Sequence, residues 1–166
     1  PVLQQPLALG ADIVVHSTTK FINGHSDIIG GAVIAKQQSV ADELKWWGNC
    51  LGLTAGALDS YLTLRGLRTL PLRLKAQQAN TAAVVDFLVK HPLVARVYYP
   101  GLADHPGHQV AKAQQAGFGA MCSFELKAPA TLLADFFAAL RYFTLAQSLG
   151  GTESLICHPA SMTHAS

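Results

Sequence analysis

Two short apolar runs flank a polar segment that holds a single lysine, and no other feature constrains this chain as strongly. Residues 12–16 read DIVVH and residues 30–35 read GGAVIA. Runs of this length, bounded by glycine, predict strands. Neither run alternates with polar residues, which predicts a sheet covered on both faces. Between them stand Ser17, Thr18, Thr19 and Lys20, then Phe21, Ile22, Asn23, Gly24, His25, Ser26 and Asp27.

Three consecutive hydroxyls leading into one lysine have chemical capacity. In an extended segment Ser17 and Thr19 point one way and Lys20 the other. Two hydroxyls then serve one anion while the amine reaches elsewhere. Desolvation at an apolar strand end lowers a lysine pKa and frees the amine as a nucleophile. An aldehyde cofactor bearing a phosphate uses all three groups. From spacing alone, a polar loop with a solvated lysine is the plainer reading.

Further along, Ser39 is placed to cap a helix over residues 40–49, with Asp42 and Glu43 near its start. Gly52 and Gly56 mark a break. Residues 57–70 carry a broad helical stripe, and a second helix is expected from Pro71 to Lys90. Its inner face is read as Ala76, Ala79, Ala83, Val84, Phe87 and Leu88. Residues 94–98 predict a strand and residues 105–115 a polar helix or turn. Residues 119–126 alternate, as a half-buried antiparallel strand does. Residues 131–140 predict a helix and residues 154–157 a last strand. Buried strands thus give way to alternating strands and amphipathic helices, and a boundary is placed near residue 70.

Composition narrows the partners. Of the 166 residues 50% are apolar and only 13% charged, against about 25% charged in an ordinary globular chain. Disorder is excluded, and the surface is expected to be covered by more chain or by another subunit. The net charge of +2 comes without a basic cluster, so nucleic acid is not an expected partner. No apolar run has the length of a membrane span. Cys50, Cys122 and Cys157 form no CxxC, which points to a reducing compartment, the cytoplasm. Pro1 opens without Met, and the sequence is read as an internal fragment.

The lysine segment resembles the motif H-S-x-T-K-[aromatic]-x-x-G-H-S-D of the fold-type I pyridoxal-phosphate enzymes of methionine and cysteine metabolism. This is the cystathionine γ-synthase, γ-lyase and sulfhydrylase family. Two further blocks follow in the family's order. One runs from Asp59-Ser60-Tyr61-Leu62 through Leu64-Arg65-Gly66-Leu67-Arg68-Thr69-Leu70. The other is Ser148-Leu149-Gly150-Gly151-Thr152-Glu153-Ser154-Leu155 with His158-Pro159-Ala160 and Met162-Thr163-His164. Trp46-Trp47, Phe118-Gly119-Ala120-Met121 and residues 4–12 look closest to the bacterial γ-synthase branch.

The resemblance implies an α/β fold of type I. Residues 1–70 would end the large PLP-binding domain, and residues 71–166 would begin the smaller α+β C-terminal domain. It implies pyridoxal 5′-phosphate held by Lys20, with Ser17 and Thr19 on its phosphate. Lys20 would also move protons on the substrate, and Ser148 would position the lysine amine. The implied reaction is γ-substitution between an O-acyl-L-homoserine, O-succinyl first, and L-cysteine, giving cystathionine for methionine biosynthesis. Sulfhydrylase and γ-lyase are the alternatives within the family, and a non-catalytic oligomerisation fragment is the alternative outside it. The substrates are small amino acids, and a homotetramer is implied. Gln147 departs from the glutamate common before this serine. The ring-stacking, pyridine-nitrogen and substrate-carboxylate residues are expected outside this chain, so the fragment alone is expected to be inactive.

Other residues are read structurally. No ligand set emerges from the seven histidines, with His105 and His108 at a turn and helix start, so no metal is expected. Arg65 and Arg68 are expected in a structural salt bridge. His25 and Asp27 are expected to fasten the lysine loop. The cysteines are expected to be inert.

Overall fold

The computed structural model describes residues 2–164. Strand β1 (Ile13–Ser17) pairs antiparallel with β2 (Gly31–Ala35), Val15 facing Val33 and His16 facing Ala32. Both expected strands are present, but the expected double cover is not. Directly paired residues share a face. The face carrying Val14, His16 and Ala32 is half-covered, whereas Val15 and Val33 on the other are 72% and 54% exposed. The apolar pattern reports what each face requires, and within this chain only one face is partly provided for.

Helix α1 (Gln38–Leu51) starts one residue before the expected cap Ser39, and its cap position, Gln37, makes no side-chain cap hydrogen bond. It ends at Gly52, whose left-handed φ of 69° brings the Leu53 N–H to the Gly48 carbonyl at 2.8 Å, a glycine stop of the Schellman type.

The break expected near residue 70 does not occur. Helix α2 runs unbroken from Ala57 to Lys90, 34 residues with Pro71 inside. Proline removes one ladder hydrogen bond and crowds the preceding turn. The carbonyl left without its ladder donor is that of Leu67, four residues back. One residue earlier the Gly66 carbonyl accepts from Thr69 Oγ1 at 3.1 Å and from Arg73 Nη2 at 2.8 Å. Leu70 and Leu74, 1% and 8% exposed, pack beneath, and this packing carries the helix through the proline.

The buried line of α2 also differs from the expected one. Leu88 is buried and Val84 half-buried, but Ala76, Ala79, Ala83 and Phe87 are exposed. Leu70, Leu74 and Val85 take the interior, with Arg73, Gln77, Gln78 and Thr81 half-buried beside them. Polar residues occupy the packed face because three of them bond to loop backbone.

After α2, β3 (Val94–Tyr98) pairs antiparallel with β4 (Ser123–Leu126), with an irregularity between Val94 and Arg96. The alternation read in the sequence holds, since Cys122, Phe124 and Leu126 are half-buried while Ser123 and Glu125 are exposed. Helix α3 (His108–Gln114) lies between these strands in sequence. There the Tyr99 hydroxyl donates to the Gly119 carbonyl at 3.1 Å, and the His108 ring stacks on Phe118. A 3₁₀ turn (Ala130–Leu132) leads into α4 (Leu133–Ala138), where Phe136 meets Phe124 edge to face. Strand β5 (Thr144–Leu145) pairs parallel with β6 (Leu155–Ile156), and α5 (Pro159–Met162) follows. Among the described residues no helix is long and apolar enough to cross a membrane.

Candidate active site

The site begins where β1 ends. Thr18–Ile22 forms one wide helical turn, interrupted at Lys20 with φ −98° and ψ −125°. The extended geometry assumed for Ser17, Thr19 and Lys20 therefore does not apply, and alternation does not assign their directions. The chain closes early because the turn is bonded at both ends. Thr18 N–H donates to the Gly30 carbonyl at 2.9 Å, Asn23 N–H to the Thr18 carbonyl at 3.1 Å and Gly24 N–H to the Lys20 carbonyl at 2.8 Å.

The loop beyond is fastened as expected. Asn23, 1% exposed, donates through Nδ2 to Asp27 Oδ1, and His25 Nδ1 lies 2.8 Å from the Asn23 carbonyl. Ser26 is the one non-glycine residue with a left-handed φ among those described, at 58°. Such a conformation is uncommon for serine.

Helix α2 supports this loop at two points. Gly66 lies against Asn23, and a Cβ there would stand 2.1 Å from the Asn23 carbonyl oxygen. Arg73 donates through Nη1 to the Phe21 carbonyl at 2.9 Å and through Nη2 to the Ile22 carbonyl at 3.2 Å. Burial lowers the Arg73 pKa from its ordinary value, but a guanidinium stays charged in proteins. Neither Arg73 nor Gln77 is marked by the sequence motifs. Arg73 had one legible cue, a cation one turn after Thr69, two turns after Gly66 and two residues past a helix-breaking proline. Arg65 and Arg68 are exposed instead. The salt bridge expected for them is absent among the described residues, where the one ion pair is Lys90–Asp86 at 2.6 Å.

A second arm meets the turn from far along the chain. Gly150 (φ 81°) lies directly on it, and a Cβ there would stand 2.5 Å from Phe21 N. Lys20 Nζ donates to Ser148 Oγ at 3.3 Å across 128 residues of sequence. Lys20 is half-buried and Ser148 exposed. Ser17 is exposed at the end of β1, whereas the half-buried Thr19 accepts from Gly30 N–H at 3.0 Å and lies 3.3 Å from the Gly30 carbonyl. Gln147 Nε2 donates to the Met162 carbonyl at 2.8 Å. Among the described residues no group of three or more His, Cys, Asp or Glu could hold a metal ion.

The donor set suits a phosphorylated aldehyde. One amine is held by a hydroxyl, Ser17 lies exposed at the strand end, and the Thr19 hydroxyl proton can turn from the Gly30 carbonyl to a stronger acceptor. A lysine set between a strand-end turn and a converging loop can offer its amine to a carbonyl group. The chain belongs to the Cys/Met metabolism PLP-dependent enzyme family, whose pattern matches residues 1–166.

Its likenesses are close. It is 56% identical to cystathionine gamma-synthase of Escherichia coli K12, covering 99% of this chain and 43% of that protein. It is 51% identical to cystathionine beta-lyase of Lactococcus lactis subsp. cremoris over 100% of this chain and 43% of that one. The crystal structure of cystathionine gamma synthase from Xanthomonas oryzae pv. oryzae in complex with cystathionine superposes with a TM-score of 0.95 at 59% identity. That match covers 99% of this chain and 43% of that one. The chain thus spans 43% of the length of these relatives, and its fold over that stretch is the α/β fold of the type I PLP-dependent enzymes.

Proposed function

We propose that this chain carries the cofactor lysine of an enzyme that joins an O-acyl-L-homoserine, O-succinyl first, with L-cysteine to give cystathionine. The observation that carries this reading is the Lys20 Nζ to Ser148 Oγ contact of 3.3 Å. It brings the motif lysine and the motif serine together. Identity favours the γ-synthase branch, at 56% and 59% against 51% for a β-lyase.

Pyridoxal 5′-phosphate, when bound, withdraws electrons from the substrate and so eases loss of its α and β protons. The residues supply the rest. Lys20 would carry the cofactor and, once freed, its Nζ would take the α proton and then the β proton before the γ-group leaves, and return one proton to each carbon after the sulfur has bonded. Ser148 Oγ accepts from Nζ and so limits where the amine can swing. Ser17 and Thr19 hold the phosphate, Thr19 being preset because its oxygen already receives the Gly30 N–H. The γ-acyloxy group leaves, and the cysteine sulfur bonds at Cγ.

A lyase is the second reading. One observation supports it: the Lactococcus lactis β-lyase and the Mycobacterium bovis γ-synthase are equally similar to this chain, at 51%. The division into residues 1–70 and 71–166 is retained as a proposal in which α2 is shared by both parts. A cytoplasmic homotetramer belongs to the same proposal.

The test is borohydride reduction of the complete gene product loaded with pyridoxal phosphate, followed by peptide mass mapping. A pyridoxyl group on Lys20 supports the reading, and an unmodified Lys20 in folded protein defeats it. Product analysis with O-succinylhomoserine and cysteine then separates the branches, with cystathionine marking the synthase.

A further inference from the structure

The packed face of α2 carries two polar side chains one turn apart, and each holds a different half of the site. Arg73 donates to the carbonyls of Phe21 and Ile22, immediately after Lys20. Gln77 donates through Nε2 to the Gly151 carbonyl at 3.0 Å, three residues past Ser148. Between these anchors Gly150 presses on the Lys20 turn. A Cβ at that glycine would stand 2.8 Å from the Lys20 carbonyl carbon.

Gln77 has a second feature. Its Oε1 is buried with no hydrogen-bond partner among the described residues. An unpaired buried amide oxygen costs stability, so half of this side chain works against folding. The half that remains is the donor to Gly151. A residue kept for packing alone would be better served by an apolar chain of the same length.

We propose that Gln77 is a positioning residue for the Lys20 amine: by tying Gly151 to the helix that Arg73 ties to the lysine turn, it fixes Ser148 Oγ against Lys20 Nζ. This rests on the reading of Lys20 as the cofactor lysine. Gln77 acts through Ser148 and touches no reacting atom.

The decisive variant is Gln77→Met in the complete gene product. It removes the donor and the unpaired oxygen together and keeps the length. The midpoint of thermal unfolding stays within a few degrees. Amide hydrogen exchange across residues 148–151 speeds up by about tenfold or more, with or without cofactor, as local opening becomes easier. kcat falls about tenfold, because small misplacements of a reacting group are costly, while KM changes by less than about twofold. Combined with Ser148→Ala, the variant is no slower than Ser148→Ala alone, since both act through one contact.

Unchanged exchange and unchanged kcat would overturn the proposal, as would losses that simply add to those of Ser148→Ala. If Gln77→Met does not fold, Gln77→Glu keeps length and polarity without the donor at neutral pH and must show the same loosening. The two readings fail separately. An unmodified Lys20 after borohydride reduction removes the cofactor assignment, whereas the exchange measurement on that same protein still decides whether Gln77 holds the loop.

Discussion

At the scale of single residues, the site depends on groups that present few alternatives. Lys20→Ala in the complete gene product is expected to abolish the borohydride adduct and to lower turnover by at least about 10²-fold, read by mass mapping and steady-state kinetics. Ser148→Ala removes the hydroxyl that accepts from Lys20 Nζ, about 1.5 kcal/mol or roughly tenfold in kcat. Arg73 is mainly structural. Arg73→Ala strips donors from the carbonyls of Phe21, Ile22 and Gly66. With these bonds gone, about 3 kcal/mol of stability is expected to be lost in urea titration. Lys20 and Ser148, which the structure brings together, were legible because they stand in motifs. Arg73 and Gln77 were not, since a polar side chain inside a long helix looks like a solvated face until the loop it bonds is in place.

At the scale of elements, close approach decides. Gly66→Ala would set a methyl group 2.1 Å from the Asn23 carbonyl oxygen. Backbone cannot yield as a side-chain tip can, so about 3 kcal/mol or more is expected, measured against the same urea midpoint. The β3–α3 corner responds to alkali. Burial raises the Tyr99 pKa above the usual tyrosine value near 10. The folded form therefore holds its phenolic proton more tightly than the unfolded chain does. That stability is complete below pH about 10 and is lost as pH rises through the folded pKa. Ultraviolet titration beside circular dichroism should show the Tyr99 ionisation and the loss of β3–β4 structure together. Most strands and helices were visible in the sequence, and their types were right. What failed was punctuation. Pro71 read as the start of a second helix because its cost is local, whereas the Arg73 bonds to Phe21 and Ile22 that hold the helix at this point involve residues distant in sequence.

At the scale of the whole molecule, the surface is too large for a self-contained globule. The accessible area is 11438 Å², whereas a folded monomer of 17.6 kDa exposes about 7,900 Å². Much of the excess is apolar. Trp46, Trp47, Leu51 and Leu53 are 48–75% exposed around the end of α1, Leu58, Tyr61 and Leu64 61–69% exposed at the start of α2, and one face of β1–β2 is bare. The low charge content foretold such a surface but not its location, because periodicity shows that a residue is apolar and not what will cover it. The 166-residue chain prepared alone is expected to self-associate and to bind a hydrophobic dye, read by light scattering and fluorescence. A dilute, dye-silent monomer would contradict this.

The length of α2 gives the site a mechanical setting. Thirty-four residues make a rod of about 50 Å, and Arg73 stands at its midpoint. Gly66 and Gln77 lie within about 10 Å of that point. When a rod rocks or flexes about its centre, the tips travel and the middle stays nearly still. Pro71 lies beside this node, and the carbonyls of Phe21, Ile22 and Gly151 are fastened there. The lysine turn and its serine arm are thus moored to the part of the rod that moves least, like the pan hooks of a balance drawn in to its pivot.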